Sequence, residues 1–288
     1  MPGFWRSLLA SATLLLPTAT ARAEAPRHVI VTHDTVRTEV LEQGKGPAIV
    51  ILPSLGRGAG DYDQVAAFLV ADGFQVLRPQ PRGIGRSTAP MTGLTLHDDA
   101  ADVAAVISQQ VKGPAIVVGH AFGNFVARML ATDRPDLVKA VVLAAASPGK
   151  VPPGSGPVIA PDVREAIDKS GDLSLPKADR LRYLQRAFFA PGNDPSVWLS
   201  GWHEQAHKAE SAASAATPVD QWFAAGTAPI LDLQAEADTV APRKFAAVLK
   251  DALGARVTVV VIPHAGHALA PEQPKAMADA IAAYASRP

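Results

Sequence analysis

The stretch VVGHAFGN, residues 117–124, decides how this chain folds. It completes an apolar strand, makes a sharp turn and leads directly into a predicted helix. Gly119 and Gly123 lie two residues either side of the turn, where a larger side chain would collide with the helix and the neighbouring strand. The spacing is that of Gly-x-Ser-x-Gly, which exposes a nucleophile between a strand and a helix. The residue in the middle is Ala121, which has no nucleophilic atom.

Outside this stretch, apolar strand patterns alternate with helical patterns along most of the chain. Such alternation predicts an α/β fold, a mainly parallel sheet with helices on both faces. Two β-rich segments at the start predict an antiparallel entry to the sheet. The predicted strands are 28–33, 36–42, 47–52, 75–78, 114–118, 138–143, 229–234 and 256–262, and the predicted helices are 61–71, 96–111, 125–132, 243–253 and 272–285.

Between residue 147 and about residue 226 the alternation stops. Prolines cluster there, and short helical patterns at 162–169, 178–189 and 198–216 occur without a clear strand. We expect this segment to be an inserted helical cap over the site. Its aromatic residues either pack the cap, which we expect of most of them, or line an apolar substrate pocket. The candidates for substrate contact are Trp198, Trp202 and Trp222.

The start of the chain has the pattern of a secretory signal peptide. Arg6 gives it a basic start, an apolar run covers 8–16, and ARA at 21–23 is a small-residue cleavage site. The sequence therefore predicts cleavage after Ala23, export to the periplasm or the medium, and one domain over 24–288. Because the apolar run is shorter than the ~20 residues of a membrane-spanning helix, we expect no stable membrane insertion.

The amino-acid composition excludes several classes of binding partner and site. The 27 Lys and Arg residues balance the 27 Asp and Glu residues, which argues against nucleic acid or an anionic membrane surface as the partner. The absence of cysteine excludes disulfides, a thiol nucleophile and a cysteine-based metal site. We predict no metal site and no cofactor, and we expect a small-molecule substrate or ligand. The sequence does not indicate the oligomeric state.

Three loops carry a resemblance to a known family. RGIGRS at 82–87 resembles the R-G-x-G-x-S loop of α/β-hydrolases, AEADTVAP at 235–242 resembles the acid loop of that family, and GHALAPE at 266–272 resembles its histidine loop. Together with the turn at 119–123, the resemblance covers nearly all of the chain after the predicted signal. It implies the α/β-hydrolase fold with an inserted helical cap.

The resemblance also implies a catalytic triad in the order nucleophile, acid, histidine. Ala121, Asp238 and His267 occur in that order, each just after a predicted strand. In the chemistry of the family, His267 would be the general base, and Asp238 would fix its tautomer and stabilise the imidazolium. Glu236 is a second candidate for the acid, whereas His264 is not expected to act.

Two backbone N–H groups would form the oxyanion hole of such a protein. Phe122, directly after the turn residue, matches one donor, and Leu55, in a glycine-rich loop after an earlier strand, matches the other. The family usually has His-Gly before the second donor, and this chain has Pro53-Ser54. Because the donor is a backbone group, the hole does not require those side chains. We expect His120 to pack and not to catalyse.

The alanine at the turn decides which chemistry is open to the chain. Removing the triad serine from a subtilisin-type protease lowers kcat by ~2 × 10⁶, which is ~9 kcal/mol of barrier. We therefore do not expect a fast hydrolase that works through an acyl-enzyme. The sequence is the same whether Ala121 is natural or an introduced replacement for serine.

Three functions remain open at this point. The first is an exported hydrolase of a small ester, amide or related carbonyl substrate, with weak or non-covalent chemistry assisted by His267 and Asp238. The second is a non-catalytic homologue that binds a small ligand, and the third is proton abstraction by His267 without a covalent step. The retained pair favours the first and third, whereas Ala121 favours the second and third. We expect an enzyme.

The signal-peptide pattern generates the first testable prediction. Mass spectrometry of the mature protein from its native host should show a chain that starts at Glu24, because signal peptidase cuts after a small-x-small triplet. A mature protein that keeps Met1 would contradict it.

Overall fold

A mixed β-sheet runs through residues 25–287, the part of the chain that this computed structural model describes; the predicted signal peptide lies outside it. The strands are β1 (Arg27–His33), β2 (Val36–Gln43), β3 (Ala48–Leu52), β4 (Gln75–Pro79), β5 (Ala115–His120), β6 (Val138–Ala144), β7 (Ile230–Ala235) and β8 (Val257–Ile262). The helices are α1 (Asp63–Ala71), α2 (Leu96–Gln110), α3 (Gly123–Asp133), α4 (Pro161–Ser170), α5 (Lys177–Ala187), α6 (Glu204–Ala216), α7 (Val219–Trp222), α8 (Val248–Leu253), α9 (Leu269–Glu272) and α10 (Pro274–Ala285).

The order of the strands brings the ends of β5, β7 and β8 to one edge of the sheet. The order is β1-β2-β4-β3-β5-β6-β7-β8, with β1, β2 and β4 paired antiparallel and all other neighbours parallel. The predicted α/β fold and the antiparallel entry are thus confirmed. Because parallel strands end at the same edge, the loops that follow β5, β7 and β8 share that edge.

Two apolar layers hold the sheet between helices. One face packs on α2 and α3, through residues such as Val117, Ile107 and Leu130. The other face packs on α1 and α10, through residues such as Val118 and Met277. The alternating residues of β5 serve both layers, which explains why this strand is a continuous apolar run in the sequence.

Helices alone connect β6 to β7 among the described residues: α4, α5, α6 and α7 lie there with a short 3₁₀ turn at Pro195–Trp198. Trp198 packs with residues of α4 and α5 in an apolar cluster. The helix α6 contacts α2, and its Ala213 packs with Leu94 in the loop before α2. The boundaries of the predicted cap at 147 and 226 stay a prediction. The helix predicted over 198–216 begins only at Glu204, because Gly201 has a left-handed φ of +78° that a helix cannot contain.

The turn after β5 depends on the absence of two side chains. A Cβ on Gly119 would lie 2.3 Å from the carbonyl oxygen of Gly123, and a Cβ on Gly123 would lie 2.5 Å from the carbonyl oxygen of Leu52. Both neighbours are backbone atoms, so they cannot move aside by a rotamer change. The helix therefore starts at Gly123, two residues earlier than predicted, tight against the end of β3.

None of the helices within residues 25–287 is both long enough and apolar enough to cross a bilayer.

Gly119→Ala should lower the free energy of unfolding by about 3 kcal/mol, because the new methyl group meets backbone atoms of α3. Gly60→Ala is the matched control: a Cβ there meets nothing within 4 Å, and its effect should stay within about 0.5 kcal/mol. Urea denaturation of the three proteins measures both values. Equal stability of Gly119→Ala and the unmodified protein would contradict the close approach.

Candidate active site

Residue 121 sits in a strained turn at the end of β5. Ala121 has a left-handed φ of +48°, a conformation that is uncommon for a residue with a Cβ. Its N–H donates to the carbonyl of Ala144 at 3.0 Å, and its own carbonyl accepts the N–H of Asn124 at 3.1 Å. These bonds tie the turn to β6 on one side and to α3 on the other. The strain is thus retained although position 121 has no nucleophile to present.

The histidine and the acid meet at the ends of β8 and β7. His267 Nδ1 donates to Asp238 Oδ2 at 3.0 Å, and both side chains are buried. Asp238 Oδ1 also accepts the N–H groups of Val240 and Ala241, each at 2.8 Å. These bonds stabilise the carboxylate. Because Nδ1 carries the donated proton, Nε2 of neutral His267 holds a lone pair that can take a proton.

A second, partly buried acid holds the histidine loop. Glu272 accepts the N–H of Gly266 through Oε2 at 2.7 Å, and the N–H of Ala190 through Oε1 at 2.7 Å. Asn193 Nδ2 donates to the same Oε1 at 2.6 Å. These three donors lower the pKa of Glu272, but the effect of burial is larger and raises this pKa above its usual range. The loop that carries His267 is thus fixed to the segment after α5.

His120 bridges the histidine loop and the loop after β3. Its Nε2 donates to the carbonyl of His267 at 2.7 Å, so Nδ1, at 2.7 Å from the hydroxyl of Tyr62, accepts the hydroxyl proton. The Tyr62 oxygen in turn accepts the N–H of Ser54 at 3.0 Å. Burial, followed by the neighbouring His267, lowers the pKa of His120 to about 3, so this residue stays neutral at neutral pH.

Glu236, the second candidate acid, accepts the N–H of His264 at 3.0 Å instead of contacting His267. His264 itself has a left-handed φ of +55°, and its carbonyl oxygen accepts a hydrogen bond from Asn193 Nδ2 at 2.9 Å. In the structure, therefore, Asp238 and not Glu236 is the acid paired with His267.

The two predicted oxyanion donors lie at the ends of β3 and β5. Phe122 is the residue before the first turn of α3, where backbone N–H groups have no partner within the helix. Leu55 precedes Gly56, whose N–H donates to Glu210 Oε2 at 2.7 Å and whose carbonyl accepts the N–H of His203 at 3.0 Å. The assignment of both donors stays a prediction. The structure adds that residues of the segment between β6 and β7 hold the loop of Leu55.

Arg57 ties the same loop to two of the predicted substrate-contact tryptophans. Its guanidinium lies 4.7 Å from the ring centroid of Trp198 and 4.9 Å from that of Trp202. It also donates to both carboxylate oxygens of Asp61 and, at 2.7 Å, to the carbonyl of Ser200. The charge of this buried arginine is therefore paired within the loop.

The three tryptophans do not share one position. The ring of Trp198 lies 6.4 Å from that of His120 and 5.3 Å from that of Phe188, whose ring is 5.8 Å from His267. The ring of Trp202 lies 6.1 Å from that of Trp198. Trp222 instead packs on Phe125 of α3 at 4.6 Å, within the core layer of α2 and α3. Trp198 and Trp202 thus lie behind Phe188, the ring that contacts His267, whereas Trp222 packs in the core.

Several residues at this edge carry no motif in the sequence. Glu210, Tyr62 and Arg57 act through partners far along the chain. One signal could have found Glu210: it lies in α6 on the same face as Ala206 and Ala213, which are both buried. An acid on the apolar face of a helix needs a partner or a ligand.

A groove of about 780 Å³ lies away from this edge of the sheet. It runs along the opposite edge, lined by residues at or before the starts of the parallel strands, such as Gly46, Gln75, Lys112 and Lys139. A smaller cavity of about 50 Å³ is lined by Phe122 and Gly123 at the turn. We place the candidate site at Ala121, Asp238 and His267. The smaller cavity adjoins this site through Phe122 and Gly123, but those three residues do not line it. No group of three residues among 25–287 is arranged to hold a metal ion.

Comparisons with known proteins agree with this geometry. The model of the alpha/beta hydrolase family matches residues 49–280. A Variovorax paradoxus protein, provisionally named carbamate hydrolase RutD, is 29% identical over 239 residues, which are 80% of this chain and 88% of that protein. The 2-(acetamidomethylene)succinate hydrolase of Mesorhizobium japonicum is 32% identical over 107 residues, 37% of this chain and only 38% of that protein. An esterase structure from Exiguobacterium antarcticum has a TM-score of 0.74, 21% identity and coverage of 90% of this chain and 98% of that one.

Tyr62→Phe should destabilise the protein by about 1–3 kcal/mol, because it leaves the buried N–H of Ser54 and Nδ1 of His120 without partners. Tyr284→Phe is the matched control, since Tyr284 is half-buried in α10, outside this network, and should change stability by less than about 0.5 kcal/mol. Denaturant unfolding compares the two. Equal effects would show that the hydroxyl of Tyr62 does not hold the two loops.

Proposed function

The chain belongs to the α/β-hydrolase family, and from this premise we propose that it is an exported enzyme for small ester, amide or related carbonyl compounds. In this proposal His267 acts as a general base, and no covalent intermediate forms at position 121. The relatives described above carry the names of hydrolases and support a hydrolytic reaction.

One observation carries the proposal: the His267–Asp238 pair is fully assembled although the nucleophile is missing. Asp238 is 6% exposed, and its carboxylate holds His267 and the two N–H groups of Val240 and Ala241. Burying a carboxylate costs free energy unless donors compensate it, so such an arrangement is built for a charge. The charge it suits is the imidazolium that forms when His267 takes a proton.

The chemistry follows from these positions. His267 Nε2 removes a proton from a water molecule that takes the place of the missing hydroxyl, and the resulting hydroxide attacks the carbonyl carbon of the substrate. The carbonyl electrons move to oxygen, where the N–H groups of Phe122 and Leu55 would stabilise the oxyanion. Collapse of the tetrahedral intermediate expels the leaving group, which takes the proton back from His267. Asp238 stays ionised throughout and stabilises the imidazolium.

This route is slower than a triad, because an oriented serine supplies an effective concentration that a free water lacks. A site without the full triad still accelerates the reaction by a factor of ~10³–10⁴ over its rate in water. Proton abstraction from an acidic C–H bond of a ligand uses the same pair and needs no nucleophile. Alanine at position 121 favours a second candidate function, a non-catalytic protein that binds the same class of ligand.

The predicted signal peptide supports export as part of the proposal. A chain without cysteine needs no disulfide to fold in an oxidising compartment, and it has no thiol to be oxidised there.

Restoring the missing hydroxyl tests the site directly. Ala121→Ser should react with a fluorophosphonate probe, whereas the unmodified protein should not, because Ala121 has no oxygen to phosphonylate. Labelling requires His267 to lie within about 3 Å of the new hydroxyl and Asp238 to orient it. In-gel fluorescence measures the rate, and Ala121→Ser combined with His267→Ala should label at least about 100-fold more slowly.

The outcome separates the candidate functions. If folded Ala121→Ser neither labels nor hydrolyses short-chain esters, the pair is not placed for catalysis and the binding protein is the better account. If the unmodified protein turns over an ester and His267→Ala abolishes that turnover, histidine-driven chemistry without a nucleophile is supported.

A further inference from the structure

The small cavity beside the turn lies between the residues that follow position 121 and two acidic side chains. Its volume of about 50 Å³ leaves room for about three or four water molecules. One wall is apolar and comes from Leu52, Phe122 and Val126. The other wall brings in the carboxyl groups of Asp99 and Glu210. Because Phe122 follows position 121 directly, the cavity lies next to the place where a substrate carbonyl would sit.

Asp99 has an oxygen atom without a partner. Its side chain extends from α2 and is mostly buried, and its Oδ2 is fully enclosed yet receives no hydrogen bond from any residue in 25–287. A buried carboxylate oxygen normally accepts at least one hydrogen bond. Leaving it unpaired costs free energy, so this atom needs a donor from outside the chain.

Glu210 is the second acid of the cavity. It is 7% exposed, lies on the apolar face of α6, and uses Oε2 to hold the N–H of Gly56 at 2.7 Å. Burial raises the pKa of Glu210 well above its usual range, and the nearby charge of Asp99 raises it further. Burial and the charge of Asp99 thus both favour the neutral form of Glu210.

The cation that lines the cavity is already paired. Within residues 25–287, Arg82 is the one lysine or arginine that lines the cavity. It donates to both carboxylate oxygens of Asp102, from Nε at 2.6 Å and from a terminal nitrogen at 2.9 Å. Such a two-fold pairing uses the charge of both partners. Arg82 lowers the pKa of Asp99 through its charge, yet among residues 25–287 the Asp99 carboxylate makes no ion pair of its own.

We propose that this cavity binds the ammonium group of a small ligand, with Asp99 as its counter-ion. An ammonium group offers three N–H donors and a full positive charge, and its size fits a space of a few water molecules. The apolar wall of Leu52, Phe122 and Val126 accommodates the first carbon atoms of the attached chain. A carboxylate-bearing ligand is disfavoured, because it would meet two acids.

Proton binding to Asp99 competes with the ligand. Burial, followed by the charge of Asp102, raises the pKa of Asp99 to about 7. The charge of Asp98 also raises this pKa, whereas the charge of Arg82 lowers it. The ionised fraction of Asp99 therefore rises about tenfold between pH 6 and pH 8. An alkylammonium ion keeps its charge over this range, because its pKa is near that of lysine, about 10.4. Affinity should consequently rise with pH.

The test uses propylammonium chloride as the probe and 1-propanol as its neutral counterpart. Two-dimensional ¹H–¹⁵N NMR of the full protein should show saturable shifts of the amides of Phe122, Gly123 and Val126 with the amine and not with the alcohol. The dissociation constant for the amine should fall about tenfold from pH 6 to pH 8. Because this measurement needs no substitution, it does not depend on a variant that folds.

Three variants locate the site. Asp99→Asn keeps the shape of the side chain and should weaken amine binding at pH 8 about tenfold or more, since it removes the counter-ion. Glu210→Gln should weaken binding less than Asp99→Asn does, because burial favours the neutral form of Glu210 and its Oε2 already accepts the N–H of Gly56. Asp98→Asn is the matched control: it removes a charge from the same turn of α2, but residue 98 does not line the cavity.

Four results would overturn the proposal: equal binding of the amine and the alcohol, absence of saturable shifts up to 0.1 M amine (roughly a hundredfold above millimolar affinity), affinity independent of pH, or equal loss in Asp98→Asn and Asp99→Asn. A loss confined to Asp99→Asn, with a rise in affinity towards pH 8, would support it.

A link to catalysis rests on the proposed function, and a separate measurement tests it. In the Ala121→Ser protein, a 4-nitrophenyl ester of an amino acid with a free ammonium group should have a lower KM than the ester without it, and Asp99→Asn should remove the difference. His267→Ala should abolish turnover and leave amine binding unchanged. Amine binding without any turnover would contradict the proposed function and not the ammonium site.

Discussion

The close approach of β5, the turn after it and α3 is the constraint on which the rest of the structure depends. Gly119 and Gly123 let backbone atoms of the strand, the helix and the end of β3 come within distances that no Cβ could share. The approach places the first turn of α3 at the sheet edge where β7 and β8 also end. Both core layers meet at β5, so a shift of this strand would disturb the packing of helices on both faces.

From that edge, a chain of buried hydrogen bonds extends to two loops. Neutral His120 accepts a hydrogen bond from the Tyr62 hydroxyl on one side and donates one to the carbonyl of His267 on the other. Glu272 holds the same histidine loop from outside. The position of His267 is thus determined twice, through its backbone and through the carboxylate of Asp238. Such double support limits the motion of the imidazole, as proton transfer over a short distance requires.

The fold could be predicted because its signals are local. Alternation of apolar strands and helices predicts a parallel sheet, and the Gly-x-x-x-Gly spacing around Ala121 predicts the turn, since both depend on residues close in sequence. Asp238 and His267 lie in loops with recognisable patterns, and the structure brings the two side chains together. Glu210 and Asp99 could not be paired in this way, because only the packing of α6 on α2 brings residues 111 positions apart to one cavity. The same holds for Trp222, whose pattern in the sequence does not distinguish contact with α3 from contact with a ligand.

The dependence of the loop after β3 on α6 has a consequence for how this protein can be rebuilt. Gly56 has its N–H bound by Glu210 and its carbonyl bound by His203, and Arg57 reaches the carbonyl of Ser200. An exchange of the helical segment for that of another family member would leave these buried groups without partners unless the acid and the backbone positions were transplanted with it. The segment and the loop therefore have to be exchanged together, and chimaeric proteins with a recombination breakpoint between them should fold poorly.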